Sequence, residues 1–551
     1  MQPSGIDLPG IPDPASWIGQ VFGDPYRVAA LHSGYAAQQA QLWGALLGGG
    51  AQGELPQLVA PEPGDRRFAD REWRDNPYYA YLKQSYLLAA KHLAELAERV
   101  PLEEKAKDRL RFAVRQWSDA MCPANFAATN PAVLRRAHES GGESLASGLA
   151  NLIADTRRRR ISQTDDAAFE IGASVACTPG DVVCQNELMQ LIQYAPATPQ
   201  VGARPLVMVP PCINKYYILD LQRANSFVRY AVEQGHTVFM VSWRNVGPEQ
   251  GRLGWDDYLE KGIFAAFEAA REIARSESVN ALGFCIGGTL LGAALAVLSR
   301  QERSCVASAT YLTTMLDFSE PGQIGVFIDE PSLAQREAEI GAGGVFPGAA
   351  LSSVFSALRA NDLIWPYVVN NYLLGGKPAA FDLLYWNSDS TNLPGPMYCY
   401  YVRNTYLENK LCAPGALRNC GVDVDLGSIR RPSFVYASRE DHIVPWRAAY
   451  RSLDALGGDA EFVLGAAGHI AGVINPPQAN RRSHWHSGEA GRGADGWLGS
   501  AREERGSWWP RWARWLDRFK GETRKAPAQT GSARYPALEA APGSYVRQKA
   551  A

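Results

Sequence analysis

The chain has 551 residues, of which 46% are hydrophobic and 20% are charged, and its formal net charge at pH 7 is -2. This length exceeds what one ordinary hydrophobic core organises, so we expect at least two domains. Because neither sign of charge is in excess, the composition gives no electrostatic argument for a nucleic-acid partner.

The nine cysteines are scattered along the chain and form no CxxC pair. Their odd number and their spacing argue against the disulfide framework of a secreted protein. The first residues lack a basic segment followed by an apolar one, so we expect no signal peptide. No run of about 18 apolar residues predicts a membrane-spanning helix. We therefore expect a protein of the reducing cytoplasm.

Residues 1–165 are predicted to form an all-helical N-terminal domain, in which residues 1–66 are a variable segment and linker. An apolar-rich stretch over Trp17–Leu47 predicts the first helix, and a run of glycines follows it. Apolar residues recur at three- and four-residue steps over Tyr79–Val100, which is typical of one face of an amphipathic helix. A second helix of this kind is predicted after Pro101.

A further helix is predicted to begin at Thr129-Asn130-Pro131, where a capping side chain precedes a proline in the first turn. We expect this helix to run towards Arg157. Four consecutive arginines, Arg157 to Arg160, follow at its end.

Residues 166–551 are predicted to form an α/β domain, with a mostly parallel sheet and helices on both faces. Short apolar runs alternate here with helical stretches such as Trp255–Arg275, and this pattern is typical of buried parallel strands. The predicted strands are Phe169–Ala176, Leu188–Tyr194, Leu206–Val209, Thr237–Val241, Val279–Phe284, Val306–Leu312, Phe434–Tyr436 and Phe462–Leu464.

A stretch at about 316–425 interrupts the predicted sheet and is long and irregular. Loops of this length are usually functional, so we predict an inserted cap or lid. Its aromatic side chains provide apolar surface to bury in a closed state, and we expect the segment to move over the active site. The alternative is a static subdomain packed on the core. The aromatic residues concerned are Phe327, Trp365, Tyr367, Tyr372, Phe381, Tyr385 and Trp386.

The most informative chemical motif is Gly283-Phe284-Cys285-Ile286-Gly287-Gly288. It lies between an apolar strand and a helix of small residues, which is the nucleophile-elbow pattern G-x-S-x-G with cysteine in place of serine. Side chains at the flanking glycines would strike the neighbouring strand or helix. The N-terminus of the following helix favours a thiolate at Cys285. We therefore predict that Cys285 is a nucleophile, and a glycine-lined buried cysteine is the alternative.

The acid and the base of a triad are expected after the nucleophile, in the order acid then histidine. Asp441 follows the strand predicted at Phe434–Tyr436, and His469 follows the strand predicted at Phe462–Leu464. We predict that His469 accepts the proton, and that Asp441 fixes its tautomer and stabilises the imidazolium. His442, beside the acid, is either a hydrogen-bonding support of this pair or simply structural.

An oxyanion hole requires two backbone N–H groups near the nucleophile. One is expected from Ile286, the residue after Cys285. The second is expected from the loop after Leu206–Val209, where Cys212 or Ile213 is well placed and Ile213 is our choice. The thiol of Cys212 itself is interpreted as a small buried hydrophobic group.

Several longer motifs carry a family resemblance. They are Pro210–Leu221 (PPCINKYYILDL), Gly283–Gly288 (GFCIGG), Asn392–Pro396 (NLPGP), Ser438–Trp446 (SREDHIVPW) and Gly468–Pro477 (GHIAGVINPP). Together they resemble the motifs of class I polyhydroxyalkanoate synthases, from about Asn76 to near the C-terminus. The resemblance implies an α/β-hydrolase fold with an inserted cap, and it places the family's catalytic residues on Cys285, Asp441 and His469.

The resemblance implies an acyltransferase that polymerises (R)-3-hydroxyacyl-CoA, chiefly 3-hydroxybutyryl-CoA, and releases CoA. The acyl group would be carried as a thioester on the cysteine. No cofactor and no metal are expected. The implied partners are a second copy of the chain, the growing polyester, the surface of a polymer granule and granule-associated proteins. The expected location is the cytoplasm, at such granules.

Two other functions stay open from the residues alone. A thiol esterase or hydrolase of the same fold would release free 3-hydroxy acid, whereas a non-catalytic granule protein would use its helical domain and aromatic surface. The arginines Arg157 to Arg160 also keep two interpretations. They are either a solvated helix end that complements the helix dipole or a site for the phosphates of CoA.

Overall fold

The computed structural model describes residues 25–48 and 55–550. The chain divides into two compact units, of which one contains Met1–Asp165 with Val354–Phe381, and the other contains Asp166–Ser353 with Asp382–Ala551. We call them the helical unit and the sheet unit. The part of the first predicted helix before Pro25 lies outside the described residues.

The helical unit is built from helices whose ends follow local capping chemistry. Asn76 accepts a hydrogen bond from the Tyr78 N–H and precedes Pro77 at the first helical position. Asn130 caps the next predicted helix start in the same way. The helices of the N-terminal part are Pro25–Leu47, Glu72–Asp75, Pro77–Arg99, Glu104–Ala120, Pro131–Glu139 and Glu143–Arg158.

The prediction of one continuous helix from Thr129 to Arg157 is wrong. The structure has two helices, Pro131–Glu139 and Glu143–Arg158, with a sharp turn between them. Gly141 and Gly142 form this turn with φ of 58° and 90°. Such left-handed backbone is accessible to glycine and ends a helix.

The segment Val354–Phe381 belongs to the helical unit, although the sequence places it in the middle of the predicted insertion. The Asn151 side-chain amide donates to the carbonyls of Asn371 and Gly376, each at 2.9 Å. The hydroxyl of Tyr372 donates to the buried carboxylate of Asp155 at 2.8 Å. The stretch at 316–425 is therefore divided between the two units.

Within the described residues, eleven strands form one sheet in the sheet unit. The strands are β1 Gly180–Gln185, β2 Met189–Tyr194, β3 Leu206–Val209, β4 Val238–Trp243, β5 Val279–Phe284, β6 Val306–Leu312, β7 Ser433–Ser438, β8 Ala460–Gly465, β9 Ser483–His486, β10 Arg502–Arg505 and β11 Glu539–Ala540. Their order across the sheet is β10-β9-β8-β7-β6-β5-β3-β4-β2-β1-β11, and the six strands from β8 to β4 pair in parallel. Antiparallel strands extend the sheet on both sides.

The mostly parallel sheet predicted from the apolar runs is confirmed, with one exception. The strand predicted at Phe169–Ala176 is wrong, because this stretch contains only an isolated bridge between Ile171 and Val175. The first strand begins at Gly180 instead, between the first two predicted strands. Its pairing with β2 and β11 provides the hydrogen bonds that favour strand there.

Both faces of the sheet are covered, and side chains alternate between two hydrophobic cores. In β3, Val207 and Val209 belong to one core, whereas Leu206 and Met208 belong to the other. This is the two-residue period of a strand buried on both faces. The covering helices are Phe227–Glu233, Trp255–Asp257 with its continuation through Tyr258–Phe264 and Ala265–Ile273, Ile286–Arg300, Trp446–Ala455, His469–Val473, Gly493–Ser500 and Trp509–Asp517.

The insertion at 316–425 as a whole consists of short helices and short strand pairs. No helix of the described residues has the length and apolar character needed to cross a bilayer. The insertion's helices are Glu330–Ile340, Gly348–Leu358, Ala360–Leu363, Trp365–Tyr367, Val368–Leu373, Asp382–Asn387, Gly395–Val402 and Arg403–Leu407. The short strand pairs of the sheet unit are Val345–Phe346 with Leu393–Pro394, Arg418–Asn419 with Val422–Asp423, and Gln200–Gly202 with Thr523–Lys525.

We predict that Tyr372→Phe loosens the helical unit locally. The change removes a hydrogen bond to a buried carboxylate, which is worth about 2 kcal/mol. Hydrogen exchange should become faster in peptides that cover Glu143–Arg158 and Val354–Phe381, while the sheet strands keep their protection. The control is Tyr78→Phe, because half of the Tyr78 side chain is exposed. Unchanged exchange in Tyr372→Phe would contradict the prediction.

Candidate active site

Cys285 lies on a strained turn between β5 and the helix Ile286–Arg300. Its φ of 52° and ψ of -127° are unusual for a residue with a side chain. The Cys285 N–H donates to the Leu312 carbonyl at 2.9 Å, and the Cys285 carbonyl accepts from the Gly288 N–H at 2.8 Å. These bonds hold the turn to the neighbouring strand and to the helix. The nucleophile-elbow conformation predicted from the motif is therefore present.

Each flanking glycine of the motif has a neighbour that leaves no room for a side chain. A Cβ at Gly283 would lie 2.8 Å from the Gly287 carbonyl oxygen, and one at Gly287 would lie 2.6 Å from the Pro210 carbonyl oxygen. A Cβ at Gly288 would lie 2.7 Å from Cγ2 of Thr314. Real Cβ atoms do not approach backbone this closely. The steric reason inferred from the sequence for these glycines is confirmed.

The loops after β7 and β8 bring Asp441 and His469 together. Nδ1 of His469 lies 2.6 Å from Oδ2 of Asp441, and both side chains are buried. The other carboxylate oxygen of Asp441 accepts from the N–H groups of Ile443 and Val444, each at 2.8 Å. Asp441 is thus fixed by backbone groups of its own loop, and it orients the imidazole of His469 through Nδ1.

His469 also lies close enough to Cys285 for their charges to interact, so the three predicted residues are brought together. Burial alone would lower the pKa of His469. The charges of Asp441 and Cys285, together with the hydrogen bond to Asp441, outweigh burial and raise this pKa to about 10. The arrangement therefore has a thiol, a basic imidazole and a carboxylate in the order that nucleophilic acyl transfer uses.

The two residues predicted for the oxyanion hole lie in the helix after the elbow and in the loop after β3. Ile286 is the first residue of its helix, so its N–H has no carbonyl to meet within that helix. Ile213 lies in the loop after β3, where its carbonyl accepts from the Thr391 N–H at 3.0 Å. The indole of Trp243 donates to the Pro210 carbonyl at 2.9 Å and fixes the start of the same loop. The oxyanion role of both amides remains a prediction.

Cys212 and His442 lie close to these residues. Cys212 is buried in the core of the sheet unit, and burial raises the pKa of its thiol. This supports its interpretation as a small hydrophobic group. His442 is half-buried in the loop that carries Asp441. Both of its proposed roles stay open.

Two tyrosines near the nucleophile were not predicted from the sequence. The rings of Tyr401 and Tyr406 lie edge-on with centroids 5.6 Å apart, and burial, with the proximity of Cys285 as a smaller cause, raises the pKa of both. Tyr401 stacks on Trp255 with ring centroids 5.9 Å apart, and Tyr406 packs edge-on against Phe318 at 4.9 Å. They come from the insertion, where no spacing rule relates a side chain to the elbow.

Comparisons with known proteins show the family of the chain. A family model described as the poly-beta-hydroxybutyrate polymerase (PhaC) N-terminus matches residues 64–231, and an alpha/beta hydrolase fold model matches residues 205–476. The chain is 52% identical to the poly(3-hydroxyalkanoate) polymerase subunit PhaC of Cupriavidus necator, over 96% of this chain and 89% of that one.

Other relatives are similar over almost the same length. The identity is 40% to the poly(3-hydroxyalkanoate) polymerase of Methylorubrum extorquens, over 96% of this chain and 88% of that one. It is 38% to the polymerase subunit PhaC of Rhizobium meliloti, over 96% of this chain and 87% of that one.

We predict that Gly287→Ala displaces the elbow and lowers the reactivity of Cys285. The added methyl group would meet backbone atoms of Val209 and Pro210, which cannot move without disturbing the sheet. The second-order rate of Cys285 alkylation by iodoacetamide should fall at least about tenfold, since small displacements of reacting groups cost this much or more. The control is Gly499→Ala, because nothing lies within 4 Å of a Cβ there. Equal alkylation rates in the two variants would contradict the prediction.

We also predict that His469 titrates far above the ordinary histidine pKa of about 6.5. Because the folded-state pKa is raised, to about 10, the stability that protonated His469 contributes is complete below about pH 6.5 and is lost as pH rises through about 10. NMR of ¹³C-labelled histidines would show this, with the signal identified by its absence in His469→Gln. In Asp441→Asn the pKa should fall. A wild-type value at or below 6.5, or no change in Asp441→Asn, would contradict the prediction.

Proposed function

Because this chain belongs to the poly(3-hydroxyalkanoate) polymerase family, we propose that it polymerises (R)-3-hydroxyacyl-CoA, chiefly 3-hydroxybutyryl-CoA, and releases CoA. Membership of this family makes it an acyl-transferring enzyme with a hydrolase-type fold. The observation that carries the proposed chemistry is the contiguous set Cys285, His469 and Asp441, with the 2.6 Å bond between the last two.

In the first half-reaction, the sulfur of Cys285 attacks the thioester carbonyl carbon of the substrate. His469 takes the thiol proton, and Asp441 stabilises the imidazolium that results. The carbonyl oxygen becomes negative and is bound by the N–H groups of Ile286 and Ile213. The bond to the CoA sulfur then breaks, the imidazolium returns the proton to that sulfur, and the acyl group stays on Cys285 as a thioester.

In the second half-reaction, the hydroxyl of another monomer or of the growing chain attacks this thioester. His469 removes the hydroxyl proton, and the Cys285 sulfur leaves and is protonated again. An oxoester forms at the expense of a thioester, which drives elongation. Thiol exchange with CoA is close to neutral in free energy, so a cysteine keeps the acyl group activated until a hydroxyl arrives.

The raised pKa of His469 supports this assignment of roles. An imidazole that holds a proton strongly takes it readily from the thiol and stands charged beside the sulfur. The tyrosines Tyr401 and Tyr406 cover the neighbourhood of Cys285 with aromatic surface. An apolar surrounding limits competition from water as acyl acceptor.

We further propose that the protein is cytoplasmic and acts as a homodimer at polymer granules, where granule-associated proteins also bind. The helix Glu143–Arg158 supports a surface contact of this kind. Its exposed side chains include apolar residues at helical spacing, which form one stripe. These residues are Leu145, Leu149, Leu152 and Ile153.

We predict that Cys285→Ala abolishes CoA release from 3-hydroxybutyryl-CoA, with a loss of at least about a thousandfold. Cys285→Ser should be nearly inactive too, because His469 would face an alcohol instead of a thiol. The assay follows CoA release and turbidity in the same sample. The matched control is Cys177→Ala, a half-buried free cysteine outside the site, which should keep wild-type rates.

Two outcomes would contradict the proposal. Substantial CoA release by Cys285→Ala would exclude the nucleophile assigned here. Release of CoA by the wild-type protein together with free 3-hydroxybutyrate, and without turbidity, would identify a thiol hydrolase of the same fold instead.

A further inference from the structure

The last two strands on one side of the sheet, β9 and β10, bring histidine and carboxylate side chains together, and β9 lies four strands away from β5, which carries the nucleophile elbow. In the antiparallel pair β9–β10, His484 stands directly opposite Glu504. His486 lies two residues further along β9, so it projects from the same face as His484. One ligand atom from each of these three side chains lies within 4.8 Å of the other two.

The imidazoles present the same ring nitrogen to the carboxylate. Nε2 of His486 lies 3.2 Å from Oε2 of Glu504, and Nε2 of His484 lies 3.7 Å from the same oxygen. The other ring nitrogen of each histidine, Nδ1, has a polar partner of its own. Nδ1 of His484 lies 3.3 Å from the Gly506 carbonyl, and Nδ1 of His486 lies 2.8 Å from the Ser487 hydroxyl. Orientation of a ring through Nδ1 is typical of histidines that bind metals through Nε2.

The tautomer of His484 follows from its partner. A carbonyl only accepts hydrogen bonds, so the proton of neutral His484 is on Nδ1 and its Nε2 carries a lone pair. This Nε2 is buried and lacks a hydrogen-bond partner within the described part of the chain. Nε2 of His484 and Oε2 of Glu504 are both hydrogen-bond acceptors, and they face each other without a donor between them. A cation placed between the two atoms would satisfy both of them.

The guanidinium of Arg511 lies beside this cluster, where it donates to the Ser487 hydroxyl at 3.3 Å. Arg511 also donates to Glu461 at 2.7 Å. Its positive charge is therefore largely balanced by Glu461, and the carboxylate of Glu504 remains to balance an ion.

We propose that His484, His486 and Glu504 bind one divalent transition-metal ion of the Zn²⁺ class, with water completing the coordination. Two imidazoles and one carboxylate are a donor set that Zn²⁺ accepts. Tetrahedral coordination at about 2.0–2.1 Å puts neighbouring ligand atoms about 3.3 Å apart. The separations of 3.2 and 3.7 Å bracket that value. Small side-chain rotations therefore complete the site.

Such an ion would link the two outermost strands on the side of the sheet where β8 leads to the predicted base, His469. β9 pairs with β8 through His484 and Gly465, and His469 follows β8 after a short loop. An ion that joins β9 to β10 binds only the folded arrangement, so it stabilises this edge. The expected role is structural, and the site requires no step of the acyl transfer.

The test uses full-length protein without a histidine tag, stripped of metal by a chelator and then dialysed. Calorimetric titration with Zn²⁺ should give one site per chain and a rise in melting temperature. Glu504→Gln and His486→Gln should each weaken binding at least tenfold and abolish that rise. The matched control is Glu503→Gln, because Glu503 stands opposite Trp485 on the other face of the same strand and is exposed.

Titration with Co²⁺ separates this site from binding by cysteine. Nitrogen and oxygen ligands give ligand-field absorption bands, whereas thiolate ligands add sulfur-to-metal charge transfer. The first spectrum, lost in Glu504→Gln and kept in Cys285→Ala, supports the site. No stoichiometric binding, a purely thiolate spectrum, equal affinity in Glu504→Gln, or equal weakening by Glu503→Gln would each overturn it. Because half of the Glu504 side chain is exposed, its replacement leaves the fold intact, and circular dichroism checks this.

Discussion

The left-handed backbone at Cys285 is the constraint on which the site depends. A residue with a side chain adopts such a conformation at a cost of about 1–3 kcal/mol, so the surroundings must enforce it. Here they do so through the bond from the Cys285 N–H to Leu312 and through glycines that let the next helix approach β3. The result is a sulfur held at the N-terminus of a buried helix, where a negative charge is favoured.

The parallel sheet explains why the acid and the base meet the elbow. Cys285, Asp441 and His469 all follow the carboxyl ends of parallel strands, and these ends lie at one edge of the sheet. The pairing of β7 with β8 also continues past both strands. The Arg439 N–H donates to Gly465 at 2.8 Å, and the Glu440 N–H donates to Ala467 at 2.9 Å. Register fixed in the core is thereby carried to Asp441 and His469.

The features that follow from local sequence rules could be predicted from the sequence alone. The buried parallel strands were found because their apolar runs are short and bounded, and β3, β5 and β6 have the predicted ends. The elbow and the order of acid and base were found because the chain order of this fold is fixed. The helix after Asn130 ends earlier than predicted, because the glycine pair at 141–142 adopts the left-handed backbone that ends a helix.

What the sequence did not reveal depends on long-range contact. Tyr401 and Tyr406 lie near Cys285 through packing of the insertion, which no periodicity encodes. The edge strand β10 is the run Arg502-Glu503-Glu504-Arg505, and its charged side chains give no strand signal. The proximity of His484 to Glu504 therefore could not be predicted from the sequence, because it depends on the antiparallel pairing of β9 with β10. The same limit explains why β1 was missed.

The insertion at 316–425 is divided between the two units, and this division bears on where a movement of the predicted cap would bend the chain. The parts of the insertion before residue 354 and after residue 381 are tied to the sheet unit, because Tyr401 stacks on Trp255 and Arg403 bridges Glu330, Glu337 and Glu408. The segment Val354–Phe381 between them is tied instead to the helical unit through buried polar contacts at Asp155 and Asn151. Opening the two flanking parts would break aromatic stacking and an ion-pair network together, which is more costly than bending a connection. We therefore propose that the predicted movement of the cap bends the chain near residues 353 and 381, where the two sets of contacts separate, rather than near 316 and 425.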